Sequence, residues 1–293
     1  MIFVINSYLN DSVAFVTVRY LSILSCMSLN VILLVFISRH RIATETATLL
    51  IKVETIVDIL ILLALPMVSI KENIPFTSTN LSYASFYCHI IYTDSIINVL
   101  INHSIYLMVS LCIDRFICIV FPLYFRQTTH KMVYIYIVTS FVCGTAAFVP
   151  NSYFSHYLLD NKTTNDSQSR YLCSLSESLV PSFVYLVVYA MCPVMIILIL
   201  NTISVKYLIA SMKGFNSKIE SRKKMITKFT VANIVSNSSY ALILIIDISF
   251  FLYVTFNQNS IIYKYYFYYD PFFLCSLTII NPLVYVILFI VNG

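Results

Sequence analysis

The sequence predicts an all-α membrane protein, a single bundle of seven transmembrane helices over residues 1–293, with the N-terminus outside and the C-terminus cytoplasmic. Three observations support this fold class. Hydrophobic residues make up 59% of the chain and charged residues only 11%, whereas soluble domains carry roughly 25% charged residues. Seven apolar stretches are long enough to cross a hydrocarbon core, which takes about 20 helical residues. The basic residues also collect on one side of these stretches.

The predicted spans are continuous apolar stretches. The first span includes NVILLVFI at 30–37, and the fifth includes PVMIILIL at 193–200. A transmembrane β-strand would alternate apolar and polar residues, so we expect helices. In chain order the spans are expected near residues 17–38, 46–70, 84–118, 132–152, 178–206, 224–256 and 264–291.

Basic residues mark the ends of the spans and set their orientation. Arg39 and Arg41 follow the first span, Arg115 closes the third, and a cluster at 213–228 lies between the fifth and sixth. In all, thirteen of the 18 Lys and Arg residues fall on this side, and Lys and Arg accumulate in cytoplasmic loops. We therefore expect a multi-pass protein of the plasma membrane in contact with the lipid bilayer. Membrane topology accounts for the basic clusters, so no nucleic-acid partner is predicted.

Glycosylation acceptors agree with this orientation. Asn-x-Ser/Thr triplets are used on the lumenal side of membranes, and four of them lie in loops predicted to be outside. Their asparagines are Asn10, Asn80, Asn161 and Asn165.

Two of the eight cysteines differ from the rest in their placement. Most lie within predicted helices, where a thiol packs as a small hydrophobic group. Cys88 begins the third span and Cys173 lies in the loop between spans four and five, both on the oxidising side. We expect a disulfide between them, which would hold this loop over the helix bundle.

Polar residues from four spans lie at similar depth in the predicted membrane. At 1.5 Å per residue, Asp58 lies about 18 Å from the cytoplasmic start of its span and Ser104 about 16 Å above Arg115. Asn30 and Asn281 lie about 14 and 18 Å from the cytoplasmic ends of their spans. Asn and Ser can serve by joining helices, but a buried carboxylate must be neutralised. Either a sodium ion held by Asp58, Ser104 and water, or a proton, would neutralise it.

Two further features lie in the predicted spans. Asp94 and Asp247 are about 32 and 34 Å above the cytoplasmic basic residues of spans three and six, so they approach the outer surface and are candidates for contact with a ligand. Pro282 follows Asn281 in span seven, where proline removes a backbone hydrogen bond and kinks the helix. With Tyr285 below it, this kink is a candidate hinge.

Together the motifs resemble those of the rhodopsin-like (class A) G-protein-coupled receptors, over all seven spans. They are Asn30, Asp58, Cys88, Asp114-Arg115-Phe116, Pro193 and Asn281-Pro282-Leu283-Val284-Tyr285. The resemblance implies a receptor that binds an extracellular ligand and activates a heterotrimeric G protein. Asp114 would hold Arg115 at rest, and Arg115 would bind a G-protein helix after span six swings outward and Tyr285 turns inward. Asp58, Ser104 and Asn281 would form a sodium pocket that favours the resting state; no other cofactor is expected.

Spans three and six depart from the family pattern. The family usually carries Cys-Trp-x-Pro in span six, but residues 227–256 contain neither Trp nor Pro. Cys88 stands 27 residues before Arg115, two more than is usual in the family. This spacing predicts a bulge or a shifted register in span three.

Two ligand classes are disfavoured by single positions. Retinal would need a lysine about six residues before the Asn-Pro motif, where Cys275 stands, and amine receptors carry an aspartate at the position of Ile97. A peptide is the favoured ligand, because Pro193, Asn201 and the segment 223–228 resemble invertebrate neuropeptide receptors of the FMRFamide-like type.

Two alternatives remain open from the sequence. A chemosensory receptor for a small environmental molecule explains the divergence of span six equally well. A polytopic transporter is the alternative from another class, although transporters usually carry inverted repeats and paired broken helices, and the sequence shows one broken helix and no repeat. No catalytic constellation lies together in the predicted spans, so we do not expect an enzyme.

Overall fold

The computed structural model describes residues 13–40, 44–73, 81–92, 95–146, 155–160, 170–175, 191–212, 220–256 and 274–287. Its helices are α1 (Val13–Arg39), α2 (Glu45–Asn73), α3 (Leu81–Phe86), α4 (Ser95–Val120), α5 (Pro122–Ala146), α6 (Cys192–Met212), α7 (Glu220–Phe256) and α8 (Leu274–Tyr285). A π-helical segment, Tyr87–Tyr92, follows α3. Strands β1 (Ser155–Asp160) and β2 (Arg170–Leu175) pair antiparallel.

Four helices in the described part of the chain are long and apolar enough to cross a membrane. They cover Thr17–Arg39, Ser95–Val120, Cys192–Ala210 and Thr227–Phe250, and two shorter apolar helices cover Lys131–Ala146 and Leu274–Tyr285. α2 is not among these four. It has 29 residues, but it carries the charged residues Lys52, Glu54 and Asp58 between its ends. Large apolar side chains face outward, since Leu24, Leu63 and Val138 are each more than half exposed. These features are those of a helical membrane protein, because soluble proteins rarely expose contiguous apolar surface on this scale.

The predicted third span is not one continuous α-helix. α3 passes into the π-helical segment that contains Cys88, and α4 begins only at Ser95. A π-helical turn closes on a longer backbone repeat than an α-helical turn and so accommodates extra residues. It supplies the shifted register that the spacing from Cys88 to Arg115 predicted.

The β1–β2 hairpin was not predicted, and it adds strands to the expected all-α class. Its register pairs Tyr157 with Cys173. Each strand has only six residues, and a polar segment at 161–169 separates them. Short strands of this kind give a weak periodic signal and depend on contacts made elsewhere. Here β1 and β2 both pack beside the π-helical segment.

α4 is the central helix of the described bundle. It packs against α2, α5, α6 and α7. Of its apolar 18-residue segment, 61% is buried, whereas only 28% is buried in the corresponding segments of α1 and α6. Leu107 and Leu111 on α4 join a core cluster that includes Leu50, Phe229 and Tyr285. A second cluster joins α4 to α6 and α7. Side chains on α4 are therefore placed between most of the other helices.

Gly144 brings the backbones of α4 and α5 into contact. A Cβ atom at this position would lie 3.0 Å from the backbone nitrogen of His103 and 3.0 Å from the backbone oxygen of Val99. Backbone atoms cannot rotate away as a side chain can. Glycine therefore permits an approach between α4 and α5 that any other residue would prevent without movement of a helix.

Candidate functional site

The C-terminal end of α4 holds a buried ion pair between neighbouring residues. Asp114 is 1% exposed and Arg115 3%. Arg115 Nε donates a hydrogen bond of 3.0 Å to Asp114 Oδ2, and its Nη2 also contacts this oxygen. A hydrogen-bonded ion pair of this kind can neutralise an arginine that would be expensive to bury alone. The structure therefore shows the contact between Asp114 and Arg115 that the resemblance implies.

Arg115 also reaches the start of α2. Its Nη2 donates a hydrogen bond of 2.7 Å to Thr44 Oγ1, and the same oxygen lies 3.4 Å from the backbone N–H of Ala47. Thr44 directly precedes α2 and occupies the position of an N-cap, which accepts hydrogen bonds from the first turn of a helix. Arg115 is thereby linked to the N-terminus of α2, a contact that the sequence analysis missed.

A buried aromatic pair covers Arg115 from α7 and α8. The guanidinium carbon of Arg115 lies 4.8 Å from the ring centroid of Phe229, within the range of about 6 Å for cation–π attraction. The Phe229 ring stacks on Tyr285, with centroids 5.9 Å apart and ring planes inclined by 22°. Tyr285 was a predicted switch residue, whereas Phe229 was not identified.

Phe116, the third residue of the predicted motif, faces a different neighbour. Its ring lies edge-on to Phe121, with centroids 6.2 Å apart, and it is only partly buried. The described contacts that hold Arg115 come from Asp114, Thr44 and Phe229.

Asp58 and Ser104 meet in the middle of the bundle, as the depth calculation predicted. Ser104 Oγ donates a hydrogen bond of 3.1 Å to Asp58 Oδ1, and both residues are 2% exposed. They line a cavity of about 10 Å³ together with Thr278 and Tyr240. This volume is close to the minimum for one water molecule. The carboxylate and hydroxyl oxygens suit a small hard cation, so Asp58 and Ser104 fit the expected sodium ion.

Asn281, the third residue of the expected sodium set, is turned toward other partners. Its Nδ2 donates a hydrogen bond of 2.8 Å to Glu54 Oε1, and its Oδ1 accepts one from Ser236 Oγ. Asn281 is also absent from the lining of the Asp58 cavity. The structure therefore brings Asp58 and Ser104 together and gives Asn281 a different role, since it joins α2, α7 and α8.

Glu54 is a buried carboxylic acid that the sequence analysis did not identify. It is 2% exposed and lies one helical turn before Asp58, so the two side chains share a face of α2. The four-residue spacing was a signal that could have found it.

A second polar network joins α4, α6 and α7. Asn237 Nδ2 donates hydrogen bonds to Asn233 Oδ1 at 2.8 Å and to Cys112 Sγ at 2.9 Å. The Cys112 thiol in turn donates to Asn201 Oδ1 at 3.7 Å, and Asn201 Nδ2 donates to Ser238 Oγ at 3.3 Å. The middle of α7 is thus polar on its buried side, in the span where the sequence departs from the rhodopsin-like pattern.

Asn30 and Pro282 have packing roles. Asn30 Nδ2 donates a hydrogen bond of 3.0 Å to the backbone oxygen of Thr278, which joins α1 to α8 in the helix-joining role considered from the sequence. Pro282 is buried within α8, between Asn281 and Tyr285. The hinge at this position stays a prediction.

Several predicted site residues lie outside the described residues. These are Asp94 and the glycosylation acceptors Asn10, Asn80, Asn161 and Asn165. Asp247 lies on α7 and is partly buried. For Cys88 and Cys173 the backbone is described but the side chains are not. Cys88 lies in the π-helical segment and Cys173 in β2, and these two elements pack together.

Comparisons of the chain with protein-family models and with curated proteins gave no match.

Proposed function

We propose that this protein is a rhodopsin-like G-protein-coupled receptor of the plasma membrane, with seven spans and an extracellular N-terminus. One observation is central to this proposal. Arg115 is buried at the cytoplasmic end of the central helix, where Asp114, Thr44 and Phe229 hold it. A buried ion pair contributes little to stability compared with apolar residues of the same volume. Its presence is better explained by a switch that releases Arg115 than by packing alone.

In this proposal the described arrangement corresponds to the resting state. Arg115 is covered by a ring from α7, so a G-protein helix can reach the guanidinium only after α7 moves away from α4. The same movement separates Phe229 from Tyr285, which is fully buried in the described arrangement, and frees the Tyr285 ring to change its orientation within the bundle. An extracellular agonist activates the receptor by binding the open state more tightly than the closed one.

Two polar connections relate the middle of α7 to its neighbours. Ser236 contacts Asn281, which is hydrogen-bonded to Glu54, and Asn237 contacts Cys112, which is hydrogen-bonded to Asn201. Both connections bring α7 into contact with other helices near the middle of the bundle. In this proposal α7 moves by exchanging these hydrogen bonds for others, and this exchange takes the place of the family's proline hinge.

The seven-span count assigns α3, the π-helical segment and α4 together to the third span, and each of the other six helices, including the shorter α8, to one span. α2 is then the second span, with Glu54 and Asp58 buried inside the bundle instead of facing lipid. The extracellular ligand in this proposal is a peptide. The proposed Cys88–Cys173 disulfide is supported by the packing of β2 beside the π-helical segment.

The test is a screen of peptide, amine and odorant libraries in cells that express the full chain with a promiscuous G protein. Arg115→Ala should abolish G-protein activation and preserve surface expression and ligand binding. Arg39→Ala is the matched control, because Arg39 is exposed at the end of α1 and its loss should not affect coupling.

Two results would contradict the proposal. Retained signalling in Arg115→Ala would show that Arg115 is not required for G-protein activation. Transport of a substrate without any G-protein response would instead favour a polytopic transporter.

A further inference from the structure

Phe229 is the residue through which α7 contacts Arg115. Its side chain is fully buried, and its ring lies 4.8 Å from the guanidinium carbon. The ring also stacks on Tyr285 at 5.9 Å. One side chain on α7 therefore contacts residues of α4 and of α8.

α7 has no acidic residue near Arg115 that could form an ion pair. Between Glu220 and Asp247 its charged residues are all basic, namely Arg222, Lys223, Lys224 and Lys228. Glu220 precedes Phe229 by nine residues, which is about 14 Å along the helix. An attraction between α7 and the arginine must therefore come from a group without a formal charge, and the ring of Phe229 is in position to supply it.

The position of the guanidinium shows what the ring contributes beyond filling space. An aliphatic side chain could occupy the same core, but it would offer the cation no favourable electrostatic contact. The face of an aromatic ring carries partial negative charge, and its attraction for a cation grows when water is excluded. Arg115 is 3% exposed, so water screens this contact little.

We propose that Phe229 is an aromatic latch, meaning a ring whose contact with Arg115 holds α7 closed over the cytoplasmic end of α4. This inference rests on the proposed function, since it names the residue that keeps the coupling site closed. Loss of the contact should increase the population of the open state without any ligand. Tyr285 should lose its stacking partner in the same step.

The experiment separates the charge of the ring face from its size. Position 229 of the full chain receives phenylalanine with an increasing number of fluorine atoms, which withdraw electrons from the ring face and change its shape little. Phe229→Leu removes the ring, and Phe229→Met is a second aliphatic variant in case the first does not fold. Opening of α7 is measured as the rate at which a water-soluble maleimide alkylates the thiol of Thr230→Cys, because Thr230 is 1% exposed. Peptide mass spectrometry assigns the reaction to this position.

Loss of a buried cation–π contact should raise both the alkylation rate and ligand-free signalling about tenfold in Phe229→Leu. The fluorinated series should show a graded rise in the same order as fluorine content. In an Arg115→Gln background the ring of Phe229 has no cation to attract. Phe229→Leu should therefore change the alkylation rate there by less than about twofold.

The inference fails if fluorination has no effect on alkylation, or if Phe229→Leu opens α7 equally in the Arg115→Gln background. Either result would make Phe229 a space-filling core residue. If alkylation follows the expected pattern but no variant signals through a G protein, the latch is retained and the proposed function is rejected.

Discussion

The hydrogen bond between Glu54 and Asn281 can be tested by changing only the chemistry of residue 54. Glu54→Gln keeps a carbonyl oxygen that can accept from Asn281 Nδ2 and removes the ionisable group. Glu54→Leu has a similar volume but no acceptor. The two variants therefore separate the hydrogen bond from packing.

The expected magnitudes follow from the burial of both partners. Glu54 is 2% exposed and Asn281 4%, and their bond is 2.8 Å long. Leaving a buried amide without a partner costs about 1–3 kcal/mol, whereas hydrogen bonds between membrane helices average about 0.6 kcal/mol. We expect Glu54→Leu to lose about 1–2 kcal/mol of stability. Glu54→Gln should change it by less than about 0.6 kcal/mol, because it keeps the bond and also removes a potential like charge one turn from Asp58.

The assay is thermal unfolding in detergent, followed with a dye that reacts with exposed thiols. Cys26, Cys112 and Cys275 are free and buried, so they report loss of the folded bundle. At about 2–4 °C per kcal/mol, Glu54→Leu should lower the midpoint by several degrees. Lys52→Gln, two residues away on α2, is the control and should leave the midpoint unchanged.

Two results would contradict the expected role of the Glu54–Asn281 hydrogen bond. Equal midpoints for Glu54→Leu and wild type would show that the bond to Asn281 does not support the fold. A loss in Glu54→Gln as large as in Glu54→Leu would show that the carboxylate charge itself is needed.

Three further predictions concern the cation site, the disulfide and the α4–α5 contact. Sodium chloride, compared with potassium chloride, should raise the unfolding midpoint of the wild type and of Asn281→Ala but not of Asp58→Asn, because Asp58 lines the central cavity and Asn281 does not; equal sodium effects in wild type and Asp58→Asn would exclude an ion at Asp58. Peptide mapping under non-reducing conditions should recover Cys88 joined to Cys173, and two alkylated thiols would refute the cross-link. Gly144→Ala should destabilise the protein by about 1–3 kcal/mol although alanine favours helices by about 1 kcal/mol, because its Cβ would lie 3.0 Å from backbone atoms of α4. In that measurement Thr139→Ala, exposed on α5, should be neutral, and an unchanged midpoint in Gly144→Ala would show that the helices can separate without strain.

Contacts that depend on the position of a residue along its own helix could be predicted from the sequence. The depth of Asp58 and that of Ser104 follow from the regular rise of a helix, and the two residues are hydrogen-bonded. The Asp114–Arg115 pair joins neighbours in the chain, so the fold has little freedom to separate them. In each case the spacing of the residues along the sequence nearly determines which side chains lie close together.

Contacts that depend on how one helix is rotated against another could not be predicted in this way. Asn281 could face Asp58 or Glu54, and the packing of α8 against α2 decides between them. Phe229 is one of many apolar residues on its helix, and the sequence does not distinguish a ring that faces lipid from one that faces a guanidinium. The β1–β2 pairing joins two short segments that are separated by nine residues in the sequence, and its register is equally absent from local periodicity.

The length of α7 makes it a lever. It contains 37 residues without an interior proline or glycine, so it measures about 56 Å and exceeds a hydrocarbon core of about 30 Å. If Ser236 is the pivot, Phe229 lies about 10 Å and Glu220 about 24 Å away along the axis. A tilt of about 10° away from α4 would move the Phe229 ring by about 2 Å and the tip of the helix by about 4 Å. Since the ring starts 4.8 Å from the guanidinium carbon, this small rotation already carries it beyond the range of about 6 Å over which the cation is attracted. A change of a single hydrogen bond in the middle of α7 would thus be amplified into a displacement of about 4 Å at the N-terminal turn of the helix.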